Sequence, residues 1–158
     1  MSLIFVPMNR ITFHSEGYHM PKLKKHDLKR WLIEIAQNHD KQIVRLAFNF
    51  CTDSELLKIN QEFLKHDTLT DIITFDYSNH DLLEGEVFIS YERITENANL
   101  FQEEITHEFL RVLIHGLLHL IGFQDKTKKM KEEMRQKENE SIQHFLTILA
   151  ENISSQKR

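Results

Sequence analysis

Residues 103–121 constrain this chain more than any other stretch. They read as one long apolar helix, and Gly122 stands just past its last periodic residue, where helices commonly stop. The apolar run from Val112 to Phe123 is broken by His115 and His119 and falls short of the ~18 residues a membrane span needs. The helix therefore belongs in a protein core, where two imidazoles without partners would be costly.

The chain has 158 residues, 41% of them hydrophobic, which suits one domain over 1–158 with a core of its own. Cys51 is the single cysteine, so no internal disulfide can form. The N-terminal residues lack the basic start and long apolar stretch of a signal peptide, and a cytoplasmic protein is expected. The formal charge of −4 attracts no polyanion in bulk. Lys22, Lys24, Lys25, Lys29 and Arg30 cluster locally, as do Lys126, Lys128, Lys129 and Lys131; a solvated helix face explains either cluster taken alone.

Period-two alternation predicts strands at Arg10–His14 and Ile43–Cys51, with Val44, Leu46, Phe48 and Phe50 on the richer face. Further strands are expected at Asp71–Phe75 and Gly85–Ser90, separated by a long loop from Asp76 to Glu84. Helical spacing places Leu28, Trp31, Leu32, Ile35 and Ala36 on one face of Leu23–Asn38. Thr52 or Asp53 caps a helix that continues through Leu56, Ile59, Asn60 and Phe63. Glu92–Leu100 and Met130–Ala150 complete the helices. The order βαβαββααα favours an α+β fold, one mixed sheet of about four strands covered by five or so helices. Phe63, Phe75, Phe88 and Phe109 are expected in the core rather than as stacking platforms for bases.

His115 and His119 are four residues apart, so both rings leave one helix face and can share a zinc ion. Gly122 can turn the chain back, and Asp125 follows three residues later with an oxygen ligand. The spacing H-x-x-x-H-x-x-G-x-x-D follows the metzincin zinc pattern with Asp125 in place of the third histidine. Two imidazoles and a carboxylate form a catalytic zinc set with a fourth position left for water. The competing reading is two core histidines bonded to backbone, with Asp125 capping the last helix. A zinc protease also needs Glu beside its first histidine, and Gly116 occupies that place.

The segment His115-Gly-Leu-Leu-His-Leu-Ile-Gly-Phe123 resembles the YbeY family of metal-dependent endoribonucleases, whose signature runs H-G-x-L-H-L-x-G-Y-D-H. Upstream, Asn60-Gln-Glu-Phe-Leu-Lys-His-Asp67 with Thr70-Asp-Ile-Ile-Thr-Phe75 is similar to the family's N-x-x-Y-R-x-x-D-x-P-T-D-V-L-S-F, and Gly85–Ser90 to its G-D-I-x-I-S strand. The family usually has His where Asp125 stands and Asp where Gln124 stands; Leu64 takes the place of its Arg, and Lys65 follows. The resemblance implies one zinc ion per chain on His115, His119 and Asp125, and RNA cleavage in maturation of small-subunit rRNA and in ribosome assembly. Lys65 is then the candidate for substrate binding, and Lys126, Lys128 and Lys129 follow the third ligand directly. Functions of other classes remain open: a zinc peptidase without its usual base, or a ribosome-assembly binding module whose metal is structural.

Several neighbours have two readings. Arg111 lies one turn before His115 and is expected in a salt bridge with Glu104, Glu108 or another nearby carboxylate rather than on phosphate. Thr74, Asp71 and Glu86 are candidates to accept the second ring proton of a ligating histidine. His107 would close the site if it reached the metal. His66 is read as a solvated histidine rather than as a general acid.

Overall fold

The computed structural model describes residues 8–64 and 70–156. Lys65, His66 and Asp67 therefore lie outside the described residues. Strands β1 (Arg10–Ser15), β2 (Gln42–Cys51), β3 (Ile72–Asp76) and β4 (Leu82–Ser90) form one sheet in the order β1-β2-β4-β3. β1 and β4 flank β2 in parallel, while β3 runs antiparallel to β4 at the sheet edge. Five α-helices accompany it: α1 (Lys25–Asn38), α2 (Asp53–Ile59), α3 (Tyr91–Leu100), α4 (Ile105–Ile121) and α5 (Lys128–Gln156). The expected mixed-sheet α+β fold is present.

The two faces of the sheet are covered unequally. The main core lies on one face and joins α1, α4 and α5 to Leu46, Phe48, Val87 and Ile89. The five α1 residues expected inside are all buried, and the Trp31 indole N–H donates to the Ser141 carbonyl at 2.7 Å, tying α1 to α5. A smaller cluster of Cys51, Leu56 and Ile73 covers the other face, with Phe75 and Phe88 packed on it.

Helix α4 beds into the sheet through two glycines. A methyl group added at Gly85 would lie 2.8 Å from the Phe75 carbonyl oxygen and 2.9 Å from Leu120 Cδ2. One added at Gly116 would lie 3.0 and 3.1 Å from the two methyls of Val87. Hydrogen at Gly85 allows an approach that real Cβ atoms essentially never show, and at Gly116 one tighter than most Cβ contacts.

Four expectations change in detail. The loop after β3 is a short hairpin, because β4 begins at Leu82 and Asn79 already bridges to it. Val44 is not on the buried face; the register between β2 and β4 shifts between Ile43 and Arg45, and Ile43 takes the core place. Phe63 is 66% exposed rather than core. After α2 the chain closes a π-helical turn, Asn60–Leu64, whose wider loop rotates Phe63 off the buried face. Finally, α5 starts at Lys128 because Thr127 caps it, its hydroxyl accepting from the Met130 N–H at 3.1 Å.

Candidate metal centre

Helix α4 is buried over most of Glu108–Leu120, and its exceptions between Val112 and Leu120 are His115 and His119, both half-buried. Hydrocarbon on the remaining positions fixes which way those rings point. Gly122 then ends the helix at φ 130°, and both its N–H and that of Phe123 return to the Leu118 carbonyl at 3.0 Å. This turn brings Asp125 back beneath the two imidazoles.

The three ligand atoms converge. His115 Nε2 and His119 Nε2 are 3.0 Å apart, and Asp125 Oδ2 lies 3.4 Å from the first and 3.5 Å from the second. Donors at ~2.0–2.1 Å around one tetrahedral ion stand roughly 3.3 Å from one another. The triangle thus has the size of one face of such a tetrahedron, and the donor set of two nitrogens and one carboxylate suits zinc. The side chains present fit a metal ion.

Glu138 on α5, which sequence reasoning missed, orients the first ligand. The His115 Nδ1–H donates to Glu138 Oε2 at 2.7 Å, leaving Nε2 for the centre. Its second oxygen accepts from Arg111 at 2.9 Å, while Arg111 also donates to Asn139 at 3.0 Å. Arg111 is therefore in a salt bridge with a nearby carboxylate, as expected, and the carboxylate is that of Glu138 on α5. A signal existed: Glu138 sits between Met134 and Ile142 on the buried stripe of α5, where an unpaired carboxylate would not be tolerated.

This pairing sets the charges. Burial alone would lower the His115 pKa, but the hydrogen bond and charge of Glu138, helped by Asp125, hold it above the ordinary imidazole value. His119 is pushed below that value by burial and by the charge of His115. Burial would raise Glu138, yet the hydrogen bonds from His115 and Arg111 overcome it and keep the carboxylate ionised.

The other candidates fall elsewhere. Asp71 and Thr74 line the cleft without bonding a ligand ring, and Glu86 faces Arg45 at 3.5 Å. His107 lies 3.3 Å from Glu103 and is outside the triad, so it does not close the site. Gln124 lines a separate hollow with His39 and Phe123. Gly116 faces Val87 of the sheet, so a glutamate there would be driven into the core instead of serving as a base.

The triad opens into a cleft of about 680 Å³ between the β3 edge, α4 and α5. A second hollow of about 540 Å³ adjoins it, lined by Lys128, Lys131 and Arg135 as well as His115 and Asp125. Two of the four lysines in the second basic cluster thus border the centre, and Arg135 joins them. The first basic cluster does not; its Arg30 is tied to Glu34 and Glu151. Among the described residues no helix is long and apolar enough to cross a membrane.

Comparison with known proteins finds a family profile described as "Endoribonuclease YbeY" matching residues 10–146. The endoribonuclease YbeY of Christiangramia forsetii is 47% identical over 122 residues, 77% of this chain and 85% of its own length. That of Bacteroides thetaiotaomicron is 40% identical over 132 residues, covering 84% of this chain and 96% of the relative. Among solved structures, the solution structure of TM1509 from Thermotoga maritima is similar at a TM-score of 0.60 and 29% identity, over 87% of this chain and 91% of that one.

Proposed function

Because this chain belongs to the endoribonuclease YbeY family, we propose that it is a zinc-dependent endoribonuclease cleaving single-stranded RNA. Its setting is the cytoplasm, its role the maturation of small-subunit rRNA and ribosome assembly, and residues 1–158 act as one domain. The observation that carries this reading is the convergence of His115, His119 and Asp125, 3.0–3.5 Å apart, at the edge of an open cleft bordered by cations.

These three side chains would hold one zinc ion, which supplies Lewis acidity toward a phosphoryl oxygen and toward an attacking water. Glu138 keeps the Nδ1 proton of His115 in place and so presents Nε2 to the centre. Arg111, only slightly exposed, holds Glu138 from the other side and is occupied by it. Lys128, Lys131 and the exposed Arg135, which also stands 3.8 Å from Glu138, are the cations placed to meet backbone phosphates beside the triad, and Lys65 is a further candidate for that contact.

The test is cleavage of a single-stranded RNA by the zinc-loaded chain, by chain stripped with a chelator, and by the His115→Ala and His119→Ala variants, with circular dichroism on each. The expected result is cleavage by the loaded native chain alone, with all variants folded. Unfolded variants would favour a structural metal, and a loaded chain that cuts no RNA would overturn the proposal. A peptide substrate should remain intact, since Gly116 leaves the protease base without a place.

A further inference from the structure

We propose that Phe101, at the α3–α4 end of the metal cleft, is a stacking platform for one unpaired base of the RNA; this rests on the endoribonuclease reading above. Phe101 is 59% exposed and has exposed apolar neighbours in Leu100 and Ile105. Of the exposed large apolar side chains among the described residues, it is the one that lines the cleft holding the triad.

The ring is held out by a fixed turn rather than left on a loose one. The Phe101 N–H donates to the Asn97 carbonyl at 3.0 Å, and the Glu103 N–H donates to that of Ala98 at 2.9 Å. Gln102 between them takes the left-handed conformation at φ 53°. Asn97 lines the same cleft, bringing an amide that can both donate and accept toward a base edge.

Charge selects a base over a phosphate at this end. Asp71 and Glu108 share the cleft lining with Phe101, and Glu108 is only 6% exposed and lies within the electrostatic reach of Arg111, Arg135, Asp71 and Glu138. Acidic groups repel phosphate, whereas the cations Lys128, Lys131 and Arg135 stand on the α5 side of the triad. A strand crossing the centre therefore runs its phosphates along α5 and turns a base toward α3. An uncharged base offers a π face to an aromatic ring whatever its identity.

The experiment measures binding of a short single-stranded RNA to metal-free protein, so that cleavage does not intervene. 2-Aminopurine is placed at successive positions to find the base whose fluorescence Phe101 quenches. Phe101→Ala should weaken binding roughly tenfold, and Phe101→Trp should restore it. The loss should vanish on an RNA made abasic at the quenched position. Leu146→Ala, an exposed apolar residue of α5 outside the cleft, should bind as the native chain does. Equal affinity of native and Phe101→Ala protein, or the same weakening on abasic RNA, would overturn the inference and leave the patch to a protein contact. A native chain that neither binds nor cuts single-stranded RNA would instead overturn the endoribonuclease reading itself.

Discussion

Glu138 on α5 accepts the Nδ1 proton of His115 on α4 at 2.7 Å, across 23 residues of sequence. One carboxylate thereby fixes a metal ligand, neutralises Arg111 and pins two helices together.

Glu138→Gln should lower metal affinity by roughly 10–100-fold, the usual cost of losing a partner behind a ligating histidine. Glu138→Ala should in addition destabilise the fold by about 3 kcal/mol, because Arg111 is left buried without its counter-charge. Chelator competition reads the first effect and denaturant unfolding the second. Unchanged affinity in both variants would remove Glu138 from the site.

The two ligating rings should titrate apart. In metal-free protein His115 carries its proton to a higher pH than a free imidazole and His119 loses its proton at a lower one. A metal ion binds the neutral ring, so below the His115 pKa it must displace a proton, and affinity falls as the pH is lowered. NMR titration of the ring protons checks the order, and calorimetry in buffers of different ionisation enthalpy counts the protons released. Glu138→Gln should bring His115 down and reduce that count.

Asp125→Ala should weaken metal binding far more than Gln124→Ala, since Asp125 Oδ2 lies within 3.5 Å of both ring nitrogens while Gln124 faces another hollow. Elemental analysis after gel filtration, with one zinc per native chain as the reference, distinguishes the two. Equal losses would mean that Asp125 is not a ligand.

Gly116→Ala should cost about 1–3 kcal/mol, because its methyl would meet Val87 at 3.0–3.1 Å in a packed interface. The strain is specific to that pair. In a double-mutant cycle with Val87→Ala, the two losses should therefore sum to more than the loss in the double variant. Strict additivity would show that the clash is relieved elsewhere.

Cys51 should be inert in the folded chain. Burial, with Glu55 and Asp53 adding to it, pushes its thiol pKa up to about 12, so almost no thiolate exists near neutrality. A thiol reagent should label it at the rate of global unfolding. Fast labelling under native conditions would mean that the Cys51–Leu56–Ile73 cluster opens locally.

Local periodicity made much of this structure legible. The buried face of α1, the long apolar α4 and its glycine stop each follow from a few neighbouring residues, and so do the two histidines one turn apart. Asp125 was legible because the turn that returns it is only a few residues long. What escaped depends on distant parts of the chain. Glu138 reaches His115 from another helix, and its clue was a carboxylate set among Met134 and Ile142. Phe63 was misplaced because a π-helical turn breaks the 3.6-residue phase on which its burial was inferred. Val44 was misplaced for the analogous reason in a strand, a register shift that spacing alone does not announce.

Helix α4 has no freedom to roll. Leu120 over Gly85 and Gly116 over Val87 key it to the sheet like a shaft in a slot, and His115 and His119 each stand one residue before a key, so the keys set the direction of both rings. Coordination in this protein is thus inherited from how a greasy cylinder beds down. One residue added between His115 and His119 should abolish the centre outright, because it would turn one ring about 100° from the other.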